Sequence, residues 1–452
     1  MKRMELIRPL KDEMLAKLAR LVKHDSHQGE ALEGKPFGEG PAAALAEALE
    51  IGREMGFRTV NLDNYCGYIE TGAGSDIIGI AAHLDIVPAG EGWETDPFTL
   101  TEKDGWVYGR GVSDDKGAVI AALYAMKLLR ESGVSLDKRI RLILGCNEES
   151  GSLCMKHYNE VEEPLTSGFT PDGNFPGIHG EKGMCAMVLR CSSSKIVSIE
   201  GGFVSNAVCN HCVTKLEAES VSPDKLRHAL SRTPLTSYSV TEEDNLIVID
   251  AVGTAAHAST PLLGVNAAAY TLSALKEAGF KDDFVDFYLD RIGLACDGAG
   301  LGLKISDKYG DLTLNNGIVR MENGVITCTI DIRFPVTYTC EQIKELAAPY
   351  LNSDKGTVEI LRLNEPLFYP PESPLVRGLY NAYVEVTGDS SIKPMVIGGG
   401  TYAKSLPGII AFGCEFPDAD NHIHDANEKL DIEELLEQTA IYTQAILNLM
   451  QN

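Results

Sequence analysis

Asp76-Ile-Ile-Gly-Ile-Ala-Ala82 is a continuous apolar run of strand length, and it leads without a break into His83-Leu84-Asp85. A second run, Arg139-Ile-Arg-Leu-Ile-Leu-Gly-Cys146, leads likewise into Asn147-Glu148-Glu149-Ser150-Gly151. A strand with one wet face alternates apolar and polar residues, whereas one that is apolar throughout is covered on both faces. The intervening segments supply the cover. Pro41–Met55 opens on proline, is rich in Ala, Leu and Glu, and has Gly56 placed to end it; Lys116–Glu131 carries apolar residues at helical spacing, with Gly133 just beyond. The expected fold class is therefore α/β, a mostly parallel sheet covered by helices.

The middle of the chain changes character. From about Cys185 to Leu367, alternating β-runs such as Asn245–Asp250 and Gly324–Arg333 are separated by helical segments at Pro223–Leu230 and Gln342–Leu351. This predicts a mixed α+β module. Helix and strand signals then return at Pro374–Val386, Pro394–Ile397, Gly408–Phe412 and Ile432–Leu449. The simplest organisation is one domain, residues 1–184 and 371–452, with an α+β domain inserted at 185–370.

Composition bounds the function. With 44% hydrophobic and 23% charged residues the chain is ordinary for a globular protein, which excludes collagen-like and disordered classes. A formal net charge of −25 argues against nucleic acid or an anionic membrane as partner, since both attract basic patches. No apolar run approaches the ~20 residues of a membrane span, and Met1-Lys2-Arg3-Met4-Glu5, with further charges where a signal peptide needs an apolar stretch, is not expected to open one. The eleven cysteines are scattered, so a reducing cytoplasm is expected rather than a disulfide framework. Cys209 and Cys212 flank His211 as a metal half-site would, but no second pair follows at a fitting distance.

Chemistry-bearing residues collect where the apolar strands end. His83 and Asp85 follow one, Glu148 and Glu149 another, and Pro171-Asp172-Gly173 a third short segment. In open parallel sheets that edge is where ligands bind. Gly111-Val-Ser-Asp114-Asp115-Lys-Gly117 adds two carboxylates before a helix. Crowded carboxylates repel one another, and a divalent cation removes that cost. His83 and Asp85 suit an imidazole ligand backed by a carboxylate; of Glu148 and Glu149, one can bind metal while the other moves a proton. Taken singly, each has a plainer reading: a capping pair, a helix N-cap, a solvated surface.

Eight segments in order make the pattern specific. They are His83-Leu-Asp-Ile-Val-Pro-Ala-Gly-Glu-Gly-Trp93, Tyr108-Gly-Arg-Gly-Val-Ser-Asp-Asp-Lys-Gly117, Gly145-Cys-Asn-Glu-Glu-Ser-Gly151, Thr170-Pro-Asp-Gly-Asn-Phe-Pro176, Ala256-His-Ala-Ser-Thr-Pro261 with Gly264-Val-Asn-Ala, Asp331-Ile-Arg-Phe-Pro335, Gly398-Gly-Gly-Thr-Tyr402 and His424-Asp-Ala-Asn-Glu428. In these the chain resembles the M20 family of metallopeptidases, in its dipeptidase V branch. The resemblance implies a zinc-exopeptidase-like catalytic domain with an inserted lid. It implies two divalent metal ions, zinc first, with manganese or cobalt as alternatives. Carried over by position, the ligands are His83, Asp114, Glu149, Asp172 and His424, with Asp114 bridging. His83 and Asp172 complete one ion's shell, Glu149 and His424 the other's. Asp85 orients His83, Glu148 is the general base, and Asp115 shapes the turn. His422 is the neighbouring alternative to His424.

In the inserted domain the resemblance makes His257 the donor to the tetrahedral intermediate's oxyanion. It makes Arg333 the partner of the substrate's C-terminal carboxylate and places Asn206 against substrate. Gly399, Gly400, Thr401 and Tyr402 form a turn expected to bind substrate. The implied reaction is hydrolysis of dipeptides, β-alanyl dipeptides included, by a monomer. The alternative within enzymes is a deacylase acting on N-acyl amino acids or N-succinyl-diaminopimelate. A silent, peptide-binding homologue requires a defect that the sequence does not show.

Overall fold

The computed structural model describes residues 2–193 and 195–451. It resolves into two compact units, one of Met1–Gly180, Tyr369–Val396 and Gly400–Asn452, the other of Glu181–Phe368 and Ile397–Gly399.

The first unit is built on β1 (Arg58–Leu62), β2 (Cys66–Thr71), β3 (Ile77–His83), β4 (Arg139–Gly145), β5 (Ser167–Thr170) and β6 (Ile178–Glu181). Their order is β1-β2-β4-β3-β5, then the strand Ile409–Ala411, then β6. Every residue of β3 is buried. Successive side chains of a strand point to opposite faces, so both faces are covered. β3 runs parallel to β4 from Ile77 opposite Arg139 to His83 opposite Gly145, and parallel to β5 on its other side. The carboxyl ends of these three strands therefore lie side by side. Helices Lys116–Glu131 and Ile432–Met450 pack against each other and against β3, while Glu39–Glu54 and Leu153–Val161 pack on β2.

The expected α/β class holds, with one difference of detail. The sheet is parallel at its centre and antiparallel at both flanks, where β1 pairs β2, β2 pairs β4, and Ile409–Ala411 pairs β6. The β1–β2 hairpin turns through Asp63 and Asn64, both with positive φ (53° and 57°), the conformation whose twist matches flanking antiparallel strands.

The second unit contains β7 (Gly183–Ser192), β8 (Ile196–Gly201), β9 (His211–Glu217), β10 (Ser237–Glu243), β11 (Leu246–Val252), β12 (Thr313–Glu322), β13 (Val325–Phe334) and β14 (Gly356–Asn364). They form one antiparallel sheet in the order β10-β11-β9-β8-β12-β13-β7-β14. Burial alternates along β11, so one face packs on the core and the other is wet. The inward face meets the apolar sides of helices Pro223–Leu230, Ala267–Glu277, Asp283–Arg291 and Cys340–Ala347. Each helix starts at a side-chain cap: Ser222, Asn266, Asp282 and Thr339 accept from backbone N–H groups of the first turn. The expected helix Gln342–Leu351 begins two residues earlier at the Thr339–Gln342 capping box. It tightens into a 3-10 turn at Ala348–Tyr350, where Pro349 removes a donor.

Residues 397–399, read from sequence as part of the outer domain, cluster instead with this second unit. The Lys182 N–H donates to the Ile397 carbonyl (2.9 Å) and Arg333 Nη1 to the Gly398 carbonyl (2.9 Å). A Cβ on Gly398 would lie 2.5 Å from Ser259 Cβ, so only glycine permits this approach. The Cys209–Cys212 half-site does not form: both thiols are buried, and His211 pairs through Nε2 with Asp250 (2.9 Å). Among the described residues no helix is long and apolar enough to cross a membrane.

Candidate metal centre

The first unit brings its predicted residues to one edge of the sheet. His83 is the last residue of β3, Glu148 and Glu149 lie just past β4, and Asp172 lies two residues past β5. Asp114 precedes helix Lys116–Glu131 across a cis peptide bond to Asp115. His424 arrives from the loop after Ile409–Ala411. Two groups each offer ligand atoms within 4.8 Å of one another: His83, Asp114 and Glu149, and His83, Glu148 and Asp172. Glu148 thus stands with Asp172 and His83. His424 Nε2 lies 2.9 Å from Asp114 Oδ2 and 3.2 Å from Glu149 Oε1. His422 faces Asp420 instead (3.3 Å).

The orientation of His83 differs in detail from expectation. Its Nδ1–H donates to the main-chain carbonyl of Asp85 (2.9 Å), while the Asp85 carboxylate lies 3.7 Å away. A carbonyl only accepts, so Nδ1 carries a proton and Nε2 is left to face Asp114 Oδ1 at 2.9 Å. The Asp85 carboxylate has another task. Its two oxygens accept from the backbone N–H groups of Glu148 (3.0 Å) and Glu149 (3.1 Å), fixing the turn that presents both side chains. Asp115 is fully buried and accepts from the His83 N–H (3.1 Å), consistent with a turn-shaping part.

Electrostatics single out the same cluster. Burial raises the Glu148 carboxyl well above its ordinary value, and the charge of Asp172 adds to this. Burial also raises Asp115 strongly and pushes Asp85 up to about 6. Burial alone would lower His83, but the bond to Asp114 and its charge raise it. Hydrogen bonds to Asp114 and Glu149 raise His424 to about 10. Asp114 is desolvated, yet His424 and His83 hold it below the usual carboxylate range. The donor chemistry fits a bound cation. Two imidazole nitrogens point at the two oxygens of one carboxylate, and without protons on both of them lone pair would face lone pair. Divalent cations among His83, Asp114, Glu148, Glu149, Asp172 and His424 would satisfy those lone pairs and offset the carboxylate repulsion.

Glu428 belongs to the quoted His424–Glu428 segment but had no role assigned from sequence. It is 1% exposed, and Oε2 accepts from Arg110 Nη1 (2.8 Å) and the Gly111 N–H (2.8 Å). Oε1 accepts from the N–H groups of Ser113 (2.9 Å) and Asp114 (3.1 Å). The turn presenting Asp114 is thus held by a residue more than 300 positions away, with no local signal to announce it. Tyr402, expected among the substrate contacts, is fully buried. Its hydroxyl meets Cys154 Sγ at 3.0 Å and its ring packs edge-on to His83 (centroids 6.3 Å apart). It props the imidazole from below instead of facing solvent. Thr401 caps the short turn that seats Tyr402.

In the second unit Asn206, His257 and Arg333 come together. The Asn206 carbonyl accepts from the Ala258 N–H (2.8 Å), and the Arg333 charge contributes, after burial, to lowering the His257 imidazole. The Ser259 N–H donates to His257 Nδ1 (3.2 Å), so that nitrogen is an acceptor and the neutral ring carries its proton on Nε2. Arg333 is buried and already forked onto Asp331, Nε to Oδ1 at 2.7 Å and Nη2 to Oδ2 at 3.0 Å. With Nη1 on Gly398, three of its roughly five N–H donors are engaged. Gly399 closes this unit's Ile397–Gly399 segment, whereas Gly400 belongs to the first unit.

A family model described as "Peptidase family M20/M25/M40" matches residues 79–448. The chain is 35% identical over 445 residues to SH1171 of Staphylococcus haemolyticus, covering 95% of this chain and 94% of the relative. It is 35% identical over 433 residues to YtjP of Bacillus subtilis, covering 92% of each. Both relatives carry provisional dipeptidase names. Among solved structures, human carnosine dipeptidase 1 (TM-score 0.57, 17% identity, 100% of this chain and 98% of that one) shares the fold. So does a tripeptidase from Staphylococcus aureus (TM-score 0.58, 14% identity, 97% and 98%). With a matching family model over most of its length and candidate ligands gathered at one sheet edge, the chain belongs to peptidase family M20/M25/M40 and is a hydrolase of the metallopeptidase class.

Proposed function

We propose that this chain is a metal-dependent dipeptidase holding two divalent ions, zinc first, through His83, Asp114, Glu149, Asp172 and His424. The observation that carries the reading is the pair of imidazole Nε2 atoms facing opposite oxygens of Asp114, each at 2.9 Å. The dipeptidase names of relatives aligned over nearly the whole chain support the substrate class. When bound, the ions supply Lewis acidity toward the scissile carbonyl and make water a competent nucleophile at neutral pH.

The chain's own residues do the rest. Glu148 is the base: its carboxylate takes the proton of the attacking water and delivers it to the leaving amine. The two N–H bonds into Asp85 hold Glu148 and Glu149 on one turn, so that proton transfer and ligation keep fixed places. His257 carries its proton on Nε2 and suits donation to a developing oxyanion. Arg333 keeps two N–H donors for a peptide carboxylate while Asp331 fixes its plane.

The test is amino-acid release from a dipeptide panel, β-alanyl-histidine and N-acetyl amino acids included. Metal-stripped protein is assayed after adding back Zn²⁺, Mn²⁺ or Co²⁺ singly. We expect metal-dependent dipeptide cleavage, lowered on the order of 10²–10⁴-fold in Glu148→Gln. Turnover confined to N-acyl amino acids would make the chain a deacylase on the same core. Folded, metal-loaded protein inert toward the whole panel would overturn the reading.

A further inference from the structure

The loop carrying His424 and the turn carrying Asp114 are far apart in sequence and are tied mainly through Glu428. Its carboxylate collects the inward N–H groups of Gly111, Ser113 and Asp114 together with Arg110. Its main-chain carbonyl takes the Gly109 N–H (3.1 Å). Asn421, from the same loop, donates through Nδ2 to Ser113 Oγ (3.1 Å). The loop needs such ties: His422, His424 and Asn427 have φ of 53°, 65° and 63°. Residues with side chains seldom adopt that region unless their surroundings impose it. His83, Glu148, Glu149 and Asp172, by contrast, are carried at strand ends by sheet pairing and the Asp85 bonds, and none of these Glu428 bonds reaches them.

We infer that Glu428 is a positioning residue that seats the His424 loop on the Asp114 turn and so sets the His424 side of the site, leaving the side of His83 and Asp172 largely alone; Asp114, which faces both imidazoles, is shared. This rests on the two-ion reading above. In Glu428→Gln, one acceptor oxygen becomes an NH₂ group that confronts two N–H donors, and the strained His424 loop must move away from the Asp114 turn, which stays joined to helix Lys116–Glu131 and facing His83 at 2.9 Å.

The experiment is calorimetric titration of metal-stripped protein with Zn²⁺, with folding checked by circular dichroism. His424→Ala marks which binding step belongs to its half. Glu428→Gln should weaken that step about 10–100-fold and leave the other within about threefold, the cost typical of groups that support metal ligands. Asn421→Ala, a milder loss, should weaken the same step less, and decides the matter should Glu428→Gln fail to fold. Equal weakening of both steps, or of neither, overturns the inference. An unsubstituted protein that binds fewer than two ions overturns the two-ion reading itself, whereas two ions with an unmoved His424 step overturns only the role of Glu428.

Discussion

Asp85→Asn separates two tasks that one residue performs. The substitution keeps the shape of a side chain that is 1% exposed, and it leaves the main-chain carbonyl that receives the His83 Nδ1–H. The imidazole tautomer is therefore kept. What changes is the carboxylate, whose oxygens accept from Glu148 N at 3.0 Å and Glu149 N at 3.1 Å. Whichever oxygen becomes nitrogen then faces an N–H, and one charge-assisted hydrogen bond is lost. Such bonds contribute about 1.5–3 kcal/mol. At about 1.36 kcal/mol per decade, a loss falling wholly on the transition state slows turnover roughly 10- to 150-fold. The assay is steady-state dipeptide hydrolysis at saturating metal, with kcat and KM taken separately. We expect kcat to fall and KM to change little, and Asp85→Ala, which leaves both N–H groups unmet, to fall further. A kcat for Asp85→Asn within about threefold of the unsubstituted enzyme, well short of the cost of one such bond, would refute the assignment of this carboxylate to the Glu148–Glu149 turn.

Three other perturbations test the frame. A Cβ on Gly145 would lie 2.0 Å from the Tyr402 hydroxyl, so Gly145→Ala should destabilise by about 1–3 kcal/mol and depress turnover. Tyr402→Phe in the same chain should restore part of both, and no rescue would count against the clash. Arg141 is fully buried between Glu70 and Glu162, with the Tyr158 hydroxyl on its Nη1. Arg141→Met should cost about 1.5–3 kcal/mol in denaturant unfolding by removing one of the two guanidinium partners of Glu70, which keeps Arg58 Nη1 at 2.9 Å, and a loss under about 0.5 kcal/mol would contradict this. Burial, with Asp431 and Glu437 adding to it, raises Glu434 from 4.5 to about 7. A raised carboxyl pKa favours the folded state below pH 4.5 and penalises it as pH climbs through 7. Glu434→Gln should thus match the parent's melting temperature near pH 4.5 and exceed it at pH 8; an equal or lower value at pH 8 would sink the account.

The centre of the fold was legible because β3 is apolar on both faces, a pattern only a covered sheet tolerates, and β4 departs from it only at Arg139 and at Arg141, which is paired with Glu70 and Glu162. The flanks were not: β1 has alternating half-exposed residues with no apolar face, and its pairing depends on the Asp63–Asn64 turn. Helix Lys11–Val22 buries Met14, Leu15, Leu18, Leu21 and Val22, a helical spacing that the sequence itself carries. The ligand candidates were legible because strand ends place them. Their supports were hidden for a different reason. Sequence does not distinguish a main-chain carbonyl from a carboxylate as the partner of His83, nor a tyrosine beneath a site from one lining it. Asp331 and Arg333 are two apart on one strand, hence on one face, and their pairing could have been foreseen; the Glu428 clamp on Asp114 could not.

The 310-residue separation between His424 and Asp114 has a consequence for synthesis. At about 5–20 residues per second, roughly 15–60 s pass between the emergence of one and the arrival of the other. From the emergence of Asp172 onward, a nascent chain displays His83, Asp114, Glu148, Glu149 and Asp172 with neither the second imidazole nor the Glu428 brace. Ion capture by the proposed set would thereby be deferred until the polypeptide is almost finished, and a prematurely released fragment would lack the means to complete it.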